Sequence, residues 1–179
     1  MSGHSKWSTI KHKKALTDAK RSKVFSKIAS LITIAARKGG DPDKNPTLRA
    51  TIEKAREVNM SKDNIDRAIK RGTGEIAGAQ LEEVIYGAFG PGGAVILITA
   101  ITDNKNRTLA EIKRILQEHN AKFADLNSIQ WMFRREGADW VAGNLIKIDD
   151  ENIKKEIKAL YEALDEQQDV SEIYDNTGN

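Results

Sequence analysis

The sequence predicts an α+β protein in which a basic arm and three-helix bundle precede a ferredoxin-like βαββαβ domain. Apolar residues recur at helical spacing over residues 18–72, whereas short apolar runs bounded by turn residues begin at residue 82. The charge changes sign along the chain. Residues 1–71 contain 18 Lys and Arg against 7 Asp and Glu, whereas residues 72–179 contain 11 against 19. We therefore expect two domains, at residues 1–76 and 77–179.

Three helices are predicted in the first domain, after an arm at residues 1–17 that is irregular or partly helical. The apolar stripe that starts near Val24 predicts a helix from residue 18 to the Gly-Gly-Asp-Pro sequence at 39–42. Asn45-Pro46 is typical of the N-cap and first residue of a second helix, which ends near residue 59. Ser61 caps the third helix and Gly72 ends it.

The second domain alternates strands and helices. From residue 94 the order is β-α-β-β-α-β, which is the split βαβ arrangement of ferredoxin-like folds. Gly90-Pro91-Gly92-Gly93 is a hairpin turn and not a phosphate loop, because strands flank it and no Gly-Lys pair follows. The predicted strands cover residues 82–89, 94–102, 128–135, 140–148 and 170–174, and the predicted helices begin at residues 103 and 149.

A cationic region near the N-terminus is the candidate functional site. Residues 1–27 carry eight Lys and Arg against one acid, with Trp7 and hydroxyl groups among them. Such cations contact phosphates and an aromatic ring stacks on bases, so the pattern indicates nucleic-acid binding; a solvated basic face is the alternative. The predicted contacts are Lys6, Trp7, Lys11, His12, Lys13, Lys14, Lys20, Arg21, Lys23, Lys27, Arg49, Arg56, Lys70 and Arg71.

No helix shows Asn, Gln and Arg at the spacing that reads base edges. The contacts are therefore expected to fall mostly on the phosphate backbone. That mode suits structured RNA at least as well as duplex DNA.

Enzyme and metal sites are not indicated by the sequence. The chain has no cysteine, its three histidines lack metal-ligand spacing, and its paired acids are consecutive and do not face each other. We expect no catalytic residue, cofactor, metal or small-molecule substrate. No apolar run approaches the ~20 residues of a membrane span and no signal peptide is evident, so we expect a cytoplasmic protein with no membrane partner. The sequence leaves the oligomeric state open, with a monomer favoured.

Motifs along the whole chain resemble the YebC/PmpR family. The matching segments are Gly3-His4-Ser5-Lys6-Trp7, Ile10-Lys11-His12-Lys13-Lys14, Asp18-Ala19-Lys20-Arg21, Asn45-Pro46, Leu48-Arg49, Asn59-Met60, Lys62-Asp63-Asn64-Ile65, Ala68-Ile69-Lys70-Arg71-Gly72-Thr73-Gly74, Gly90-Pro91-Gly92-Gly93, Thr102-Asp103-Asn104, Asn106-Arg107-Thr108 and Trp131-Met132-Phe133. The resemblance implies a helical N-terminal domain joined to α/β domains, without catalytic activity.

The family resemblance implies two modes of action. Some members are described as DNA-binding transcriptional regulators, and others act in translation, as mitochondrial translational activators or as ribosome-associated factors that relieve stalling. We favour the ribosome and its RNA as partner, with DNA-binding transcriptional regulation as the alternative. A protein–protein adaptor that uses the acidic C-terminal half is a further alternative.

The chain departs from the family pattern at two places. The resemblance implies a third domain inserted within the second in most family members, and we expect it to be absent here near residues 137–145. The other departure is His119-Asn120-Ala121-Lys122, where the family tends to carry glycines. The conformation of that loop is therefore expected to differ.

Overall fold

The computed structural model describes residues 18–137 and 139–178. The prediction of an irregular arm at residues 1–17 lies outside the described residues. The described chain forms two compact units, a helical unit of residues 18–83 with Ile101–Asp103 and an α/β unit of residues 84–100 and 104–178. The domain boundary predicted after residue 76 stays a prediction.

The helical unit contains the three predicted helices, α1 (Asp18–Ala36), α2 (Pro46–Glu57) and α3 (Lys62–Thr73). Their apolar faces meet in one core, in which Ile32, Leu48 and Ala55 are completely buried. The third helix continues one residue past the predicted stop. Gly74 ends it with a φ of 81°, a left-handed conformation that glycine adopts without steric cost.

The buried side chain of Asn45 joins α1 to α2. Its Oδ1 accepts a hydrogen bond from the Leu48 amide at 3.1 Å, as the predicted N-cap requires. Its Nδ2 donates to the carbonyl oxygens of Ala35 and Gly39, each at 2.8 Å. One side chain therefore caps the start of α2 and satisfies carbonyl groups at the end of α1.

Helices α1 and α3 approach each other closely at Gly72. A Cβ at this position would lie 2.6 Å from the Ala36 Cβ and still closer to the Thr33 carbonyl oxygen. Thr33 Oγ1 donates to the Ala68 carbonyl oxygen at 3.2 Å across the same contact. The missing side chain of Gly72 therefore sets the distance between the two helices.

The α/β unit is built from six strands and three helices among the described residues. The strands are β1 (Glu82–Phe89), β2 (Val95–Thr102), β3 (Lys122–Ala124), β4 (Phe133–Glu136), β5 (Asp139–Ala142) and β6 (Val170–Asp175), and the helices are α4 (Lys105–Glu118), α5 (Leu126–Ile129) and α6 (Glu151–Glu166). Short 3₁₀ turns occupy Pro91–Gly93 and Gln130–Met132.

Four strands form the main sheet, in the order β3-β1-β2-β6. Strand β2 pairs antiparallel with β6, with Ile98 opposite Ile173, and β1 pairs antiparallel with β3. All eight residues of β2 are buried. One face of β2 packs with α4 and α6, through residues such as Ile96 and Ile98. The other face packs Leu97 near Ile129.

The structure confirms the α+β class, with three N-terminal helices followed by an antiparallel sheet and helices, but its strands differ from the predicted series. Residues 126–132 are helical because Asp125 caps α5, accepting from the Asn127 amide at 2.8 Å. In place of the strand predicted at 128–135, the structure has a strand that begins only at Phe133. In place of the strand predicted at 140–148, it has the shorter strand Asp139–Ala142. These two strands pair with each other in a sheet of their own.

Candidate nucleic-acid interface

The structure places seven of the fourteen predicted contacts on the exposed surface of the helical unit. These seven are Lys20, Arg21, Lys23, Arg49, Arg56, Lys70 and Arg71. Six others, Lys6, Trp7, Lys11, His12, Lys13 and Lys14, lie outside the described residues. The role of all these residues stays a prediction.

Lys27 differs from the other described cations. Its side chain is only 6% exposed and takes part in an interaction within the chain. A lysine can be buried in this way because its aliphatic stem packs against apolar groups. In this structure Lys27 is therefore not part of the exposed cationic surface.

Several of the exposed cations form no ion pair with another residue of the described part of the chain. Among residues 18–137 and 139–178, no ion pair is formed by Arg49, Arg56, Arg67, Lys70 or Arg71. Residues 18–73 contain 14 Lys and Arg against 7 Asp and Glu, so excess positive charge stays on this surface. Such a surface attracts polyanions.

Several cations of the α/β unit, unlike Arg49 and Lys70, form ion pairs with described acids. Arg107 pairs with Asp169 at 3.0 Å, Lys147 with Asp149 at 2.7 Å, and Arg134 with Glu136 at 2.7 Å. Because these charges are compensated within the unit, they offer less to an external anion. The helical unit is therefore the candidate interface.

Part of the positive charge also stabilises the helices. Lys54 and Arg56 lie in the last turn of α2, and Lys70 and Arg71 lie in the last turn of α3. Cations near a helix C-terminus interact favourably with the helix dipole, by typically ~0.3–1 kcal/mol each. Helix stabilisation and phosphate binding are compatible, since the side chains stay exposed.

A groove between α1 and α3, here called the α1–α3 groove, lies within this surface. Its residues are Phe25, Ser26, Ala29, Met60, Asn64, Arg67, Ala68 and Arg71. Asn64, Arg67 and Arg71 are spaced three and four residues apart, which places them on one face of α3. The groove thus combines apolar groups with an amide and two guanidinium groups, and none of its residues is acidic.

The turn that ends α2 positions Met60 at the groove. Asn59 has a φ of 61°, and the amides of Asn59 and Met60 donate to the carbonyl oxygens of Arg56 and Ala55, each at 2.9 Å. This is the Schellman arrangement, with asparagine in the left-handed position and an apolar residue after it. The turn brings Met60, which is 6% exposed, against the core and groove.

Sequence reasoning missed the groove. The apolar stripe assigned Phe25 to the core, whereas its side chain is only partly buried. Arg67 is not among the fourteen predicted contacts. The Asn59-Met60 pair was the available signal, because asparagine followed by an apolar residue is typical of a Schellman end.

Trp131 is the most exposed large apolar side chain of the described residues, at 73%. Its Nε1 donates to the Ser128 carbonyl oxygen at 2.8 Å, which fixes the indole at the surface of the α/β unit. The described helices include none that is long and apolar enough to cross a membrane. The described side chains also include no group of three or more His, Asp or Glu placed to hold a metal.

Comparison with known proteins matches the chain to two family models. Residues 5–75 match the TACO1/YebC protein N-terminal domain, and residues 81–138 match the TACO1/YebC second and third domain. A crystal structure of a conserved hypothetical protein, Aq1575 from Aquifex aeolicus, superposes with a TM-score of 0.84 at 30% identity. The match covers 97% of each chain.

Curated relatives carry the name "Probable transcriptional regulatory protein". A relative from Fervidobacterium nodosum is 50% identical over 167 residues, covering 93% of this chain and 66% of the relative. Another from Dictyoglomus turgidum is 47% identical over 178 residues, covering 99% of this chain and 69% of the relative. The chain thus spans about two thirds of the length of these relatives. Family models and relatives agree, and the chain belongs to the TACO1/YebC family.

Proposed function

We propose that this chain is a non-enzymatic, nucleic-acid-binding regulator of gene expression that acts in the cytoplasm. The observation that carries the proposal is the set of exposed Lys and Arg side chains on the helical unit, several of which form no ion pair with a described residue. An external polyanion supplies the missing negative charge. The regulatory names of the relatives support the same class of function.

Structured RNA, and ribosomal RNA in particular, is the favoured target. The exposed cations are distributed over three helices of at most 19 residues, and are not aligned along one helix that could enter a major groove. Contacts of this kind read the shape and backbone of RNA. As the family resemblance implies, the chain would then act on the ribosome in translation, by relieving stalling.

DNA-binding transcriptional regulation is the second candidate, favoured by the names that the relatives carry. In either case we propose that this chain is a short form without the domain that longer members insert within the second. The tight β4–β5 hairpin occupies the place of the predicted insertion, and the relatives are about half as long again.

The test compares ribosomes with DNA at the same ionic strength. We expect the purified protein to co-sediment with ribosomes, and free ribosomal RNA to release it at lower concentrations than duplex DNA does. A sequence-selective footprint on promoter DNA without co-sedimentation would instead establish the second candidate. No binding to ribosomes, RNA or DNA at low salt would reject both.

A further inference from the structure

We propose that the α1–α3 groove accommodates one unpaired nucleotide of the bound nucleic acid. The base would lie against Phe25 and Met60, and its phosphates would contact Arg67 and Arg71. This inference rests on the proposed function, since it names the part of a nucleic acid that the helical unit selects.

The apolar side of the groove suits a flat ring. Phe25 is partly exposed at the groove, and Ala29 and Ala68 are small residues that leave open space beside it. Every base has a π-face that stacks on an aromatic side chain regardless of sequence. Met60 adds a polarisable thioether, which packs well against aromatic rings.

The polar side of the groove suits a phosphate. Arg67 and Arg71 are exposed and form no ion pair with any residue in the described part of the chain. They lie four residues apart on α3, an axial separation of about 6 Å, so both guanidinium groups border the same opening. Guanidinium groups bind phosphate oxygens in a bidentate manner.

Asn64 completes the set with an exposed side-chain amide at the groove. An amide both donates and accepts hydrogen bonds, as the edge of a base does. An apolar helix of a partner protein would leave two guanidinium groups and this amide without partners. A paired base cannot reach the groove, because its faces are stacked and its edge is occupied within a duplex.

The experiment measures preference for an unpaired base. The probes are an RNA hairpin that is closed by a non-nucleotide linker and carries a single bulged 2-aminopurine, the same linker-closed hairpin fully paired so that it contains no unpaired base, and the DNA versions of both. We expect wild-type protein to bind the bulged hairpin about tenfold more tightly than the paired one, as stacking of one base implies. The 2-aminopurine fluorescence should be quenched on binding, and the RNA and DNA versions show which sugar is accepted.

Phe25→Leu and Arg67→Ala test the two sides of the groove. Phe25→Leu keeps an apolar side chain but removes the ring, and we expect it to abolish most of the preference and the quenching. Arg67→Ala should reduce the preference several-fold. Arg49→Ala is the matched control, since it removes an exposed arginine outside the groove. We expect it to weaken binding to both hairpins equally and to leave their ratio unchanged.

The outcomes separate this inference from the proposed function. Equal affinity of the wild type for bulged and paired hairpins, or a ratio unchanged in Arg67→Ala, would overturn the groove assignment and leave nucleic-acid binding intact. Failure of the wild type to bind any hairpin would overturn the proposed function itself. If Phe25→Leu does not fold, Arg67→Ala decides, because an exposed arginine contributes little to stability.

Discussion

At the scale of single residues, two polar side chains that are buried or partly buried connect separate elements of the fold. Asn45 makes three hydrogen bonds, one of which the sequence predicted as an N-cap. The other two could not be predicted, because they depend on how the end of α1 turns toward α2. The sequence therefore predicts that Asn45 caps α2 but does not predict that it also binds the end of α1.

Asn45→Asp separates those two roles. Aspartate keeps the N-cap acceptor but cannot donate to the carbonyl oxygens of Ala35 and Gly39. We expect a loss of about 2 kcal/mol in the free energy of unfolding, since the buried Ala35 carbonyl and the partly buried Gly39 carbonyl both lose their donor. Chemical denaturation measures this loss. Ser61→Asp is the control at an exposed N-cap and should change stability little; equal effects of both variants would contradict the account.

Asp169 is the second such residue and connects α4 to the start of β6. Its Oδ2 accepts from Thr108 Oγ1 at 2.6 Å, Arg107 Nη2 at 3.0 Å and Gln167 Nε2 at 3.3 Å. Burial raises its pKa, but these hydrogen bonds and the charge of Arg107 outweigh burial and hold the pKa below its ordinary value. The folded state therefore favours the ionised carboxylate.

The lowered pKa of Asp169 predicts acid-sensitive stability. Because the pKa is lower in the folded state, this contribution is complete above the unfolded pKa of about 4 and is lost as the pH falls through the folded value. Asp169→Asn should cost about 2 kcal/mol near neutral pH and flatten the decline below pH ~4. Denaturation across pH checks this. The control is Asp149→Asn, which removes an exposed carboxylate and should change neither the stability near neutral pH nor its decline in acid. If the stability of Asp169→Asn declines in acid as steeply as that of the wild type, Asp169 is not the acid-sensitive group.

At the scale of elements, local signals predicted helix boundaries well and short strands poorly. The caps at Asn45 and Ser61 are where the sequence placed them. Strand β3 has only three residues and no period to detect. The apolar run at 131–133 favours the strand predicted at 128–135, because the capping residue Asp125 lies several residues earlier and outside that run.

The loop that departs from the family pattern has a glycine-like conformation. Asn120 has a φ of 56°, and the Ala121 amide donates to the Leu116 carbonyl oxygen at 2.8 Å. Asparagine tolerates this left-handed position better than other residues with a side chain do. In this structure the loop therefore keeps a left-handed turn without glycine.

Gly72→Ala tests the contact between α1 and α3. Helix propensity alone predicts that alanine stabilises by up to ~1 kcal/mol, whereas the close approach of Thr33 and Ala36 predicts destabilisation by ~1–3 kcal/mol. We expect the steric destabilisation to be the larger effect, so that Gly72→Ala unfolds at a lower temperature than the wild type in a thermal unfolding measurement. The control is Gly78→Ala, whose new Cβ would meet only the Arg71 side chain at 3.5 Å or more. A more stable Gly72→Ala protein would contradict the described packing.

At the scale of the whole molecule, the opposite charge of the two halves was visible in the sequence and the groove was not. The excess positive charge of residues 1–71 follows from counting Lys and Arg against Asp and Glu, which requires no knowledge of the fold. The α1–α3 groove requires α3 to cross α1 at Gly72 and the turn at Asn59 to place Met60. Such a site depends on tertiary distances, which spacing along the chain does not determine.

The central claim is that cations of the helical unit contact phosphates, and a salt titration of RNA binding tests it most directly. Replacing Lys20, Arg49 and Lys70 by alanine should lower the slope of log affinity against log salt by about 2 to 3, as three lost phosphate contacts imply. The matched variant replaces Arg114, Lys147 and Lys158, three exposed cations of the α/β unit, and should leave the slope unchanged. Equal slopes for the wild type and both variants would contradict the claim.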